Sequence, residues 1–159
     1  MQSDAETLAH ARLDLDRFLP YRLSVLTNRV SNAIARHYSE RFGLSIPEWR
    51  VMAVLGQSAS LSAREVAERT AMDKVQVSRA VASLVERRRV QRDGDDDDGR
   101  VTRLSLTPRG RAIYDEIVPL ALHLEAVLLA ALTPGEREML SALLEKLSGR
   151  ISGLRAIEV

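Results

Sequence analysis

Cysteine is absent from the 159 residues, and aromatic residues make up only 4% of them. A chain without cysteine forms no disulfide framework and cannot sense oxidants through a thiolate. The sequence also has no apolar run of transmembrane length, and its first residues lack the pattern of a secretion signal. These absences favour a cytoplasmic protein with no membrane partner.

Catalytic and cofactor motifs are missing as well. The sequence contains no glycine-rich phosphate loop, no nucleophile elbow and no HExxH motif, so we expect neither an enzyme nor a bound cofactor. Its three histidines, His10, His37 and His123, are far apart in the sequence, and no carboxylates can be paired with them to complete a zinc site. We therefore predict no catalytic residues and no zinc.

A calcium loop is suggested only by the alternation of Asp93, Asp95 and Asp97. In such a loop the next position is a glycine that makes a sharp turn, and this chain has Asp98 there. Leu104 stands where the loop needs a bidentate glutamate. The segment is therefore not expected to bind calcium, and no metal site is predicted.

The most informative segment of the chain lies between residues 61 and 107. Ser62 and Glu65 have the spacing of a capping box, in which two side chains satisfy free amides at a helix start. Asp73 and Gln76 repeat that spacing, and residues 70–72 between the two helices are just enough for a tight turn. This pattern predicts a helix-turn-helix.

The second of these helices has one apolar face. Residues at i, i+3, i+4, i+7 and i+8 are predicted to face a core; they are Val77, Ala80, Val81, Leu84 and Val85. The helical period turns other residues away from that core; these are Val75, Gln76, Arg79 and Ser83, with Lys74 and Ser78 on the flanks. Glutamine, lysine and arginine can bond to base edges, and a small apolar side chain can contact a thymine methyl group.

Two strands are predicted after this helix. Residues 101–106 alternate in the way of a half-buried strand, and Gly94 and Gly99 bracket a short acidic loop. The net charge of the chain is only +1, but residues 62–92 hold eight basic and four acidic side chains. A local basic surface of this kind suits a DNA duplex. An ordinary solvated helix face is the plain alternative.

Here the residues resemble a known family. The run LSAREVAERTAMDKVQVSRAVASLVERRRVQR, followed by DDGRVTRLSLTPRG, is similar to the MarR family (multiple antibiotic resistance regulators). The resemblance implies a mainly α winged helix-turn-helix with a small β wing and flanking N- and C-terminal dimerisation helices. It also implies a wing arginine, Arg100, at the minor groove, braced by Asp98. The predicted DNA-binding residues are Ser62, Lys74, Val75, Gln76, Ser78, Arg79, Asp98, Arg100 and Arg103.

The chain departs from the family pattern in two places. Family members usually end the recognition helix with glycine and leucine, where this chain has Arg88 and Arg89. Glycine there adopts a left-handed conformation, which would cost Arg88 roughly 1 kcal/mol unless the helix ends differently. The second departure is the acidic tip, residues 95–98, which should repel phosphate and so either points away from DNA or weakens binding.

We expect one domain over residues 1–159. Residues 57–106 are predicted to form the winged DNA-binding region, and residues 20–56 and 107–159 the helical region for dimerisation and ligand binding. The N-terminal arm and the last helix carry more apolar residues than a small winged domain can cover, although an intramolecular core is the alternative. The resemblance implies a two-fold homodimer that binds double-stranded DNA at a pseudo-palindromic operator.

A small-molecule effector is also implied by the resemblance, and arginines beside aromatic residues could hold an aromatic or anionic one. The N-terminal helices are similar to regulators of aromatic-acid catabolism, some of which sense CoA thioesters. The candidate ligand residues are Tyr21, Arg22, Asn28, Arg29, His37 and Trp49. For His37 and Trp49 a structural role in packing is the alternative reading. A helical dimer whose winged domain binds a protein partner remains the alternative function, and repression relieved by ligand is the family's usual mode.

Overall fold

The computed structural model describes residues 12–94 and 102–154. Within them the fold is mainly α-helical with one small antiparallel sheet, as the resemblance implied. In chain order the elements are α1 Leu19–Phe42, α2 Ile46–Gly56, β1 Leu61–Ser62, α3 Ala63–Thr70, α4 Lys74–Glu86, β2 Val90–Gly94, β3 Thr102–Leu106, α5 Pro108–Leu129, α6 Pro134–Ser148 and α7 Ile151–Leu154.

The first two helices begin and end at the residues that their sequence indicates. Proline lies in the first turn of α1, and Gly43 ends the helix with φ of 60°, its N–H donating to the Ser39 carbonyl at 2.8 Å. A glycine tolerates this left-handed conformation without steric cost. Helix α2 starts with a complete capping box between Ser45 and Glu48.

Helices α3 and α4 form the predicted helix-turn-helix. Ser62 and Glu65 complete their capping box, and Asp73 Oδ1 accepts from the Gln76 amide at 2.8 Å. The return bond from the Gln76 side chain to the Asp73 amide is not formed among the described residues, so the second predicted box is only half present. Ala71 takes the left-handed position of the turn, with φ of 53°, where glycine is often found.

The sheet has three strands rather than the two that the sequence pattern suggested. Its order is β1-β3-β2 with antiparallel pairing throughout, and Leu61 pairs with Leu104 while Val90 pairs with Leu106. Strand β1 is two residues long, too short to show an alternating pattern, and Ser62 serves both as its second residue and as the cap of α3. Strand β1, which pairs with β3 and leads directly into α3, joins the base of the wing to the helix-turn-helix.

Cα packing divides the chain into two compact units, one ending at Asp115 and the other beginning at Glu116. The core of the first unit joins α2, both helices of the helix-turn-helix and the sheet. Each fully buried side chain of this kind contributes roughly 1.5–3 kcal/mol to stability. The buried residues include Val51, Met52, Leu55, Val66, Val77, Val81, Leu84, Val90 and Leu104.

In the second unit, α6 opens at a complete capping box between Thr133 and Glu136. Helix α6 ends at Ser148, and the short α7 begins at Ile151. The break falls at Gly149, a residue that costs close to 1 kcal/mol in a helix interior. Among the described residues no single helix is both long and apolar enough to cross a membrane.

Arg88 occupies the left-handed position that follows the recognition helix, with φ of 55°. The first of the two alternatives left by the sequence is therefore correct: an arginine carries the strain that a glycine would avoid. We expect Arg88→Gly to raise the free energy of unfolding by about 1 kcal/mol, measured by urea denaturation. Glu86→Gly, two residues earlier inside α4, should lower it instead; equal effects of the two glycines would contradict the strain.

Candidate DNA-binding surface

One face of α4 is exposed and polar while the other is buried. Val77, Ala80, Val81 and Leu84 are each 5% exposed or less. The opposite side carries five exposed side chains, which we call the recognition face: Lys74, Val75, Gln76, Ser78 and Arg79. Because none of these side chains forms a hydrogen bond with a described residue, their polar atoms are available to a partner.

Ser83 does not belong to this face, although the helical period suggested that it should. It is half-buried, and its hydroxyl donates to Glu48 Oε1 in α2 at 2.6 Å. Burial tends to raise the pKa of Glu48, but hydrogen bonds from Ser83 and Ser45 and the charge of Arg87 hold it below its usual value. Glu48 is therefore an anion that ties α2 to the recognition helix.

Ser62 and Arg103, two of the predicted DNA contacts, take part in bonds within the protein. The Ser62 hydroxyl caps α3, and Arg103 Nη1 lies 3.0 Å from Glu65 Oε2. Arg103 Nη2 also donates to the Ser60 carbonyl at 3.3 Å. Bonds from the Ser62 amide and hydroxyl, and then the charge of Arg103, keep the pKa of Glu65 low. A DNA contact by either residue stays a prediction.

The predicted wing pair, Asp98 and Arg100, lies outside the described residues. What the structure describes is the base of the wing, where Gly94 pairs with Thr102 at the open end of the β2–β3 ladder. The role of Arg100 in the minor groove therefore stays a prediction.

The six candidate ligand residues do not meet at one place. Tyr21, Arg22 and Arg29 line an open groove along the first half of α1, with a volume of about 530 Å³. Asn28 and His37 are exposed on α1 but do not line that groove. The rest of its lining is mostly apolar and consists of Leu15, Asp16, Leu19, Leu23, Val25 and Leu26.

Trp49 lies in a row of three aromatic rings instead. Its ring centroid is 5.7 Å from that of Tyr38 and 6.0 Å from that of Tyr114, spacings at which aromatic pairs attract each other. Burial raises the pKa of Tyr38 to about 12, against a smaller opposing effect of the Arg50 charge. The guanidinium of Arg111 stacks 5.1 Å from the Tyr114 centroid. Trp49 therefore packs between Tyr38 and Tyr114, and a ligand contact by Trp49 stays a prediction.

Reasoning from the sequence did not single out Tyr114 as part of this row. The available signal was Gly56: a Cβ there would lie 2.2 Å from the Tyr114 ring, so only glycine lets the ring approach. Among the residues that the structure describes, no group of three or more metal-ligating side chains comes together.

A family model described as MarR family matches residues 42–101, which include the helix-turn-helix and strand β2 of the wing. An HTH-type transcriptional repressor of Mycobacterium tuberculosis is 30% identical over 131 residues, covering 82% of this chain and 91% of that protein. The chain belongs to the MarR family. Its assignment as a winged helix transcriptional regulator therefore rests on sequence as well as on fold.

Solved structures of other MarR-family regulators agree with this assignment. A MarR/EmrR family regulator from Acinetobacter sp. ADP1 is 27% identical with a TM-score of 0.82, and the match covers 89% of this chain and 99% of that one. BpsR of Bordetella bronchiseptica, whose DNA binding is regulated by 6-hydroxynicotinic acid, is 25% identical with a TM-score of 0.76 and coverages of 87% and 98%.

Proposed function

We propose that this MarR-family protein is a repressor that binds a pseudo-palindromic DNA operator as a homodimer and releases it when an aromatic or anionic effector binds. The observation that carries the proposal is the recognition face. Its lysine, glutamine and arginine are exposed and unbonded at the start of a helix whose other side is fixed in the core. Such a helix can enter the major groove without any rearrangement of the domain.

The homodimer is supported by apolar side chains that the protomer leaves exposed. In the first unit Leu13 is 63% exposed, and Leu15, Phe18 and Leu19 are more than 40% exposed. In the second unit α6 has no buried residue. Its exposed apolar side chains are Met139, Leu140, Leu143, Leu144 and Leu147. Apolar surface this extensive on a monomer marks a site of association.

The effector class is supported by the groove along α1. Two arginines, Arg22 and Arg29, line this groove together with Tyr21 and mostly apolar side chains. A carboxylate can bond to a guanidinium while an attached ring contacts the apolar side chains. The relative BpsR responds to an aromatic acid, and a CoA thioester, which adds phosphates, fits the same charge requirement.

The proposal is tested by selecting bound sequences from a random duplex pool, with and without a panel of aromatic acids and their CoA thioesters. We expect an enriched palindrome that is lost with one compound of the panel. Half-sites about one helical turn apart would match a symmetric dimer. Absence of any enriched sequence would contradict operator binding and favour a winged domain that binds a protein. A palindrome unaffected by the panel would contradict the effector class alone.

A further inference from the structure

Two arginines from the turn after the recognition helix bind the end of α1. Arg87 Nη1 donates to the Gly43 carbonyl and Arg89 Nη2 to the Phe42 carbonyl, each at 2.5 Å. The last carbonyls of a helix have no partner within the helix, and its C-terminus carries partial negative charge. Both guanidinium groups therefore satisfy carbonyls that α1 itself leaves free.

A third bond joins the same region to α2. Ser83, one turn before Arg87, donates to Glu48 Oε1, and the other oxygen of Glu48 accepts from the amide and hydroxyl of Ser45. We call the three contacts Arg87–Gly43, Arg89–Phe42 and Ser83–Glu48 the α1–α4 joint. Ser83 lies in the second half of α4, and Arg87 and Arg89 follow the end of that helix.

Arg89 is an unusual member of this joint because it is only 7% exposed. Its Nε and Nη1 atoms are buried without a hydrogen-bond partner among the described residues. Burial, with the charge of Arg87, lowers the pKa of Arg89, and Glu48 opposes this effect. A buried charge with unmet donors destabilises a fold, and an apolar side chain of similar volume is often tolerated better. Stability alone thus does not account for a buried arginine at this position.

We propose that Arg89 is a positioning residue which, through the α1–α4 joint, fixes the angle of the recognition helix relative to α1. The inference rests on the proposed function and extends it to the spacing of the operator half-sites. Helix α1 has 24 residues, a rigid rod about 36 Å long. Its first half carries the groove of Tyr21, Arg22 and Arg29, and its last carbonyls hold the two arginines.

Fixing this angle determines where each recognition face points in a two-fold dimer. A dimer with a stiff joint accepts one half-site separation and rejects duplexes in which that separation changes. With a loose joint each recognition helix can reorient, and the preference for spacing falls. The joint also gives an effector on α1 a direct mechanical connection to the recognition helix.

The first test compares Arg89→Leu with the matched control Arg109→Leu. Arg109 is an exposed arginine at the start of α5. It forms no hydrogen bond with a described residue, and its charge repels that of Arg89 without holding Arg89 in place. We expect Arg89→Leu to keep or raise Tm and to weaken binding of the selected palindrome by about 10-fold. Its affinity for duplexes with one base pair added or removed between half-sites should change much less, which flattens the spacing profile. Arg109→Leu should leave the profile unchanged.

The second test needs neither DNA nor a dimer. Cysteines introduced at Ala33 in α1 and Ala82 in α4, both exposed, give unique labelling sites in a chain with no cysteine of its own. Nitroxide labels there, with excess unlabelled chain, report the distance between the two helices of one protomer by pulsed electron resonance. We expect a narrow distance distribution in the parent and in Arg109→Leu, and one at least twice as wide in Arg89→Leu.

The possible outcomes test the positioning role of Arg89 separately from operator binding. Equal distance distributions in the parent and Arg89→Leu would overturn the positioning role, whatever the DNA results. A lower Tm with equal losses at every spacing would overturn it too, because that result describes a residue needed only for folding. If the parent selects no palindrome, operator binding fails, while the distance measurement still decides whether Arg89 fixes the helix.

Discussion

Replacing Arg79 with alanine is expected to weaken binding to the selected operator by about 1–3 kcal/mol while leaving the fold intact. Arg79 is exposed on the recognition face and bonds to no described residue, so its loss removes nothing that holds α4 in place. Val77 and Ala80 on either side keep the buried face of the helix. Fluorescence anisotropy with a labelled duplex measures the loss, and urea denaturation confirms that stability is unchanged.

The salt dependence of the same variant distinguishes two roles for Arg79. If the guanidinium reads a base edge, the loss should concentrate on the preferred sequence and relax specificity at one position. If it contacts a phosphate, all duplexes should lose affinity alike and the slope against log salt should fall by about one. Arg36→Ala, which removes the same charge from an exposed position on α1, is the control. Equal binding by Arg79→Ala and the parent would mean that the recognition face is assigned to the wrong residues.

Replacing Gly110 with alanine should cost about 3 kcal/mol of unfolding free energy. A Cβ at this position would lie 1.9 Å from the Arg89 carbonyl oxygen, and backbone on both sides leaves no flexible group to yield. The contact is close because Thr107 ties the two segments together. The Thr107 amide donates to the Arg89 carbonyl at 3.0 Å, and the Thr107 hydroxyl donates to the Arg88 carbonyl at 2.8 Å.

The measurement is urea unfolding followed by the fluorescence of Trp49, the only tryptophan in the chain. Gly135→Ala is the matched control, because a Cβ there meets no described atom within 4 Å and the residue lies in the first turn of α6. That substitution should be neutral or stabilise by up to about 1 kcal/mol. Comparable stabilities of the two variants would show that the start of α5 can move away from Arg89 at little cost.

The local features of the fold were predictable from short patterns. The capping boxes at Ser45, Ser62 and Thr133 mark helix starts through bonds that span only three residues, and Gly43 marks a helix end in the same local way. The alternation in residues 101–106 predicted β3, which spans Thr102–Leu106, for the same reason. The five residues of the recognition face followed from the helical period of α4 once the buried stripe of that helix was identified.

Features that depend on distant partners were not predictable. The helical period placed Ser83 on the solvent side of α4. Nothing near Ser83 in the sequence indicates that Glu48, 35 residues earlier, accepts a hydrogen bond from its hydroxyl. Arg103 looked available for DNA because its acceptors, Glu65 and the Ser60 carbonyl, lie on other elements. The burial of Arg89 is of this kind as well, since a run of three arginines is normally solvated.

Strand β2 lies at the edge of the sheet, a position from which a protein can recruit strands of other molecules. Its side chains after Val90 are exposed, and Arg92 and Asp93 place opposite charges next to each other on that edge. A second strand that approached it would have to desolvate both charges. The charges on β2 thus protect the exposed edge of the wing against pairing with a strand of another molecule.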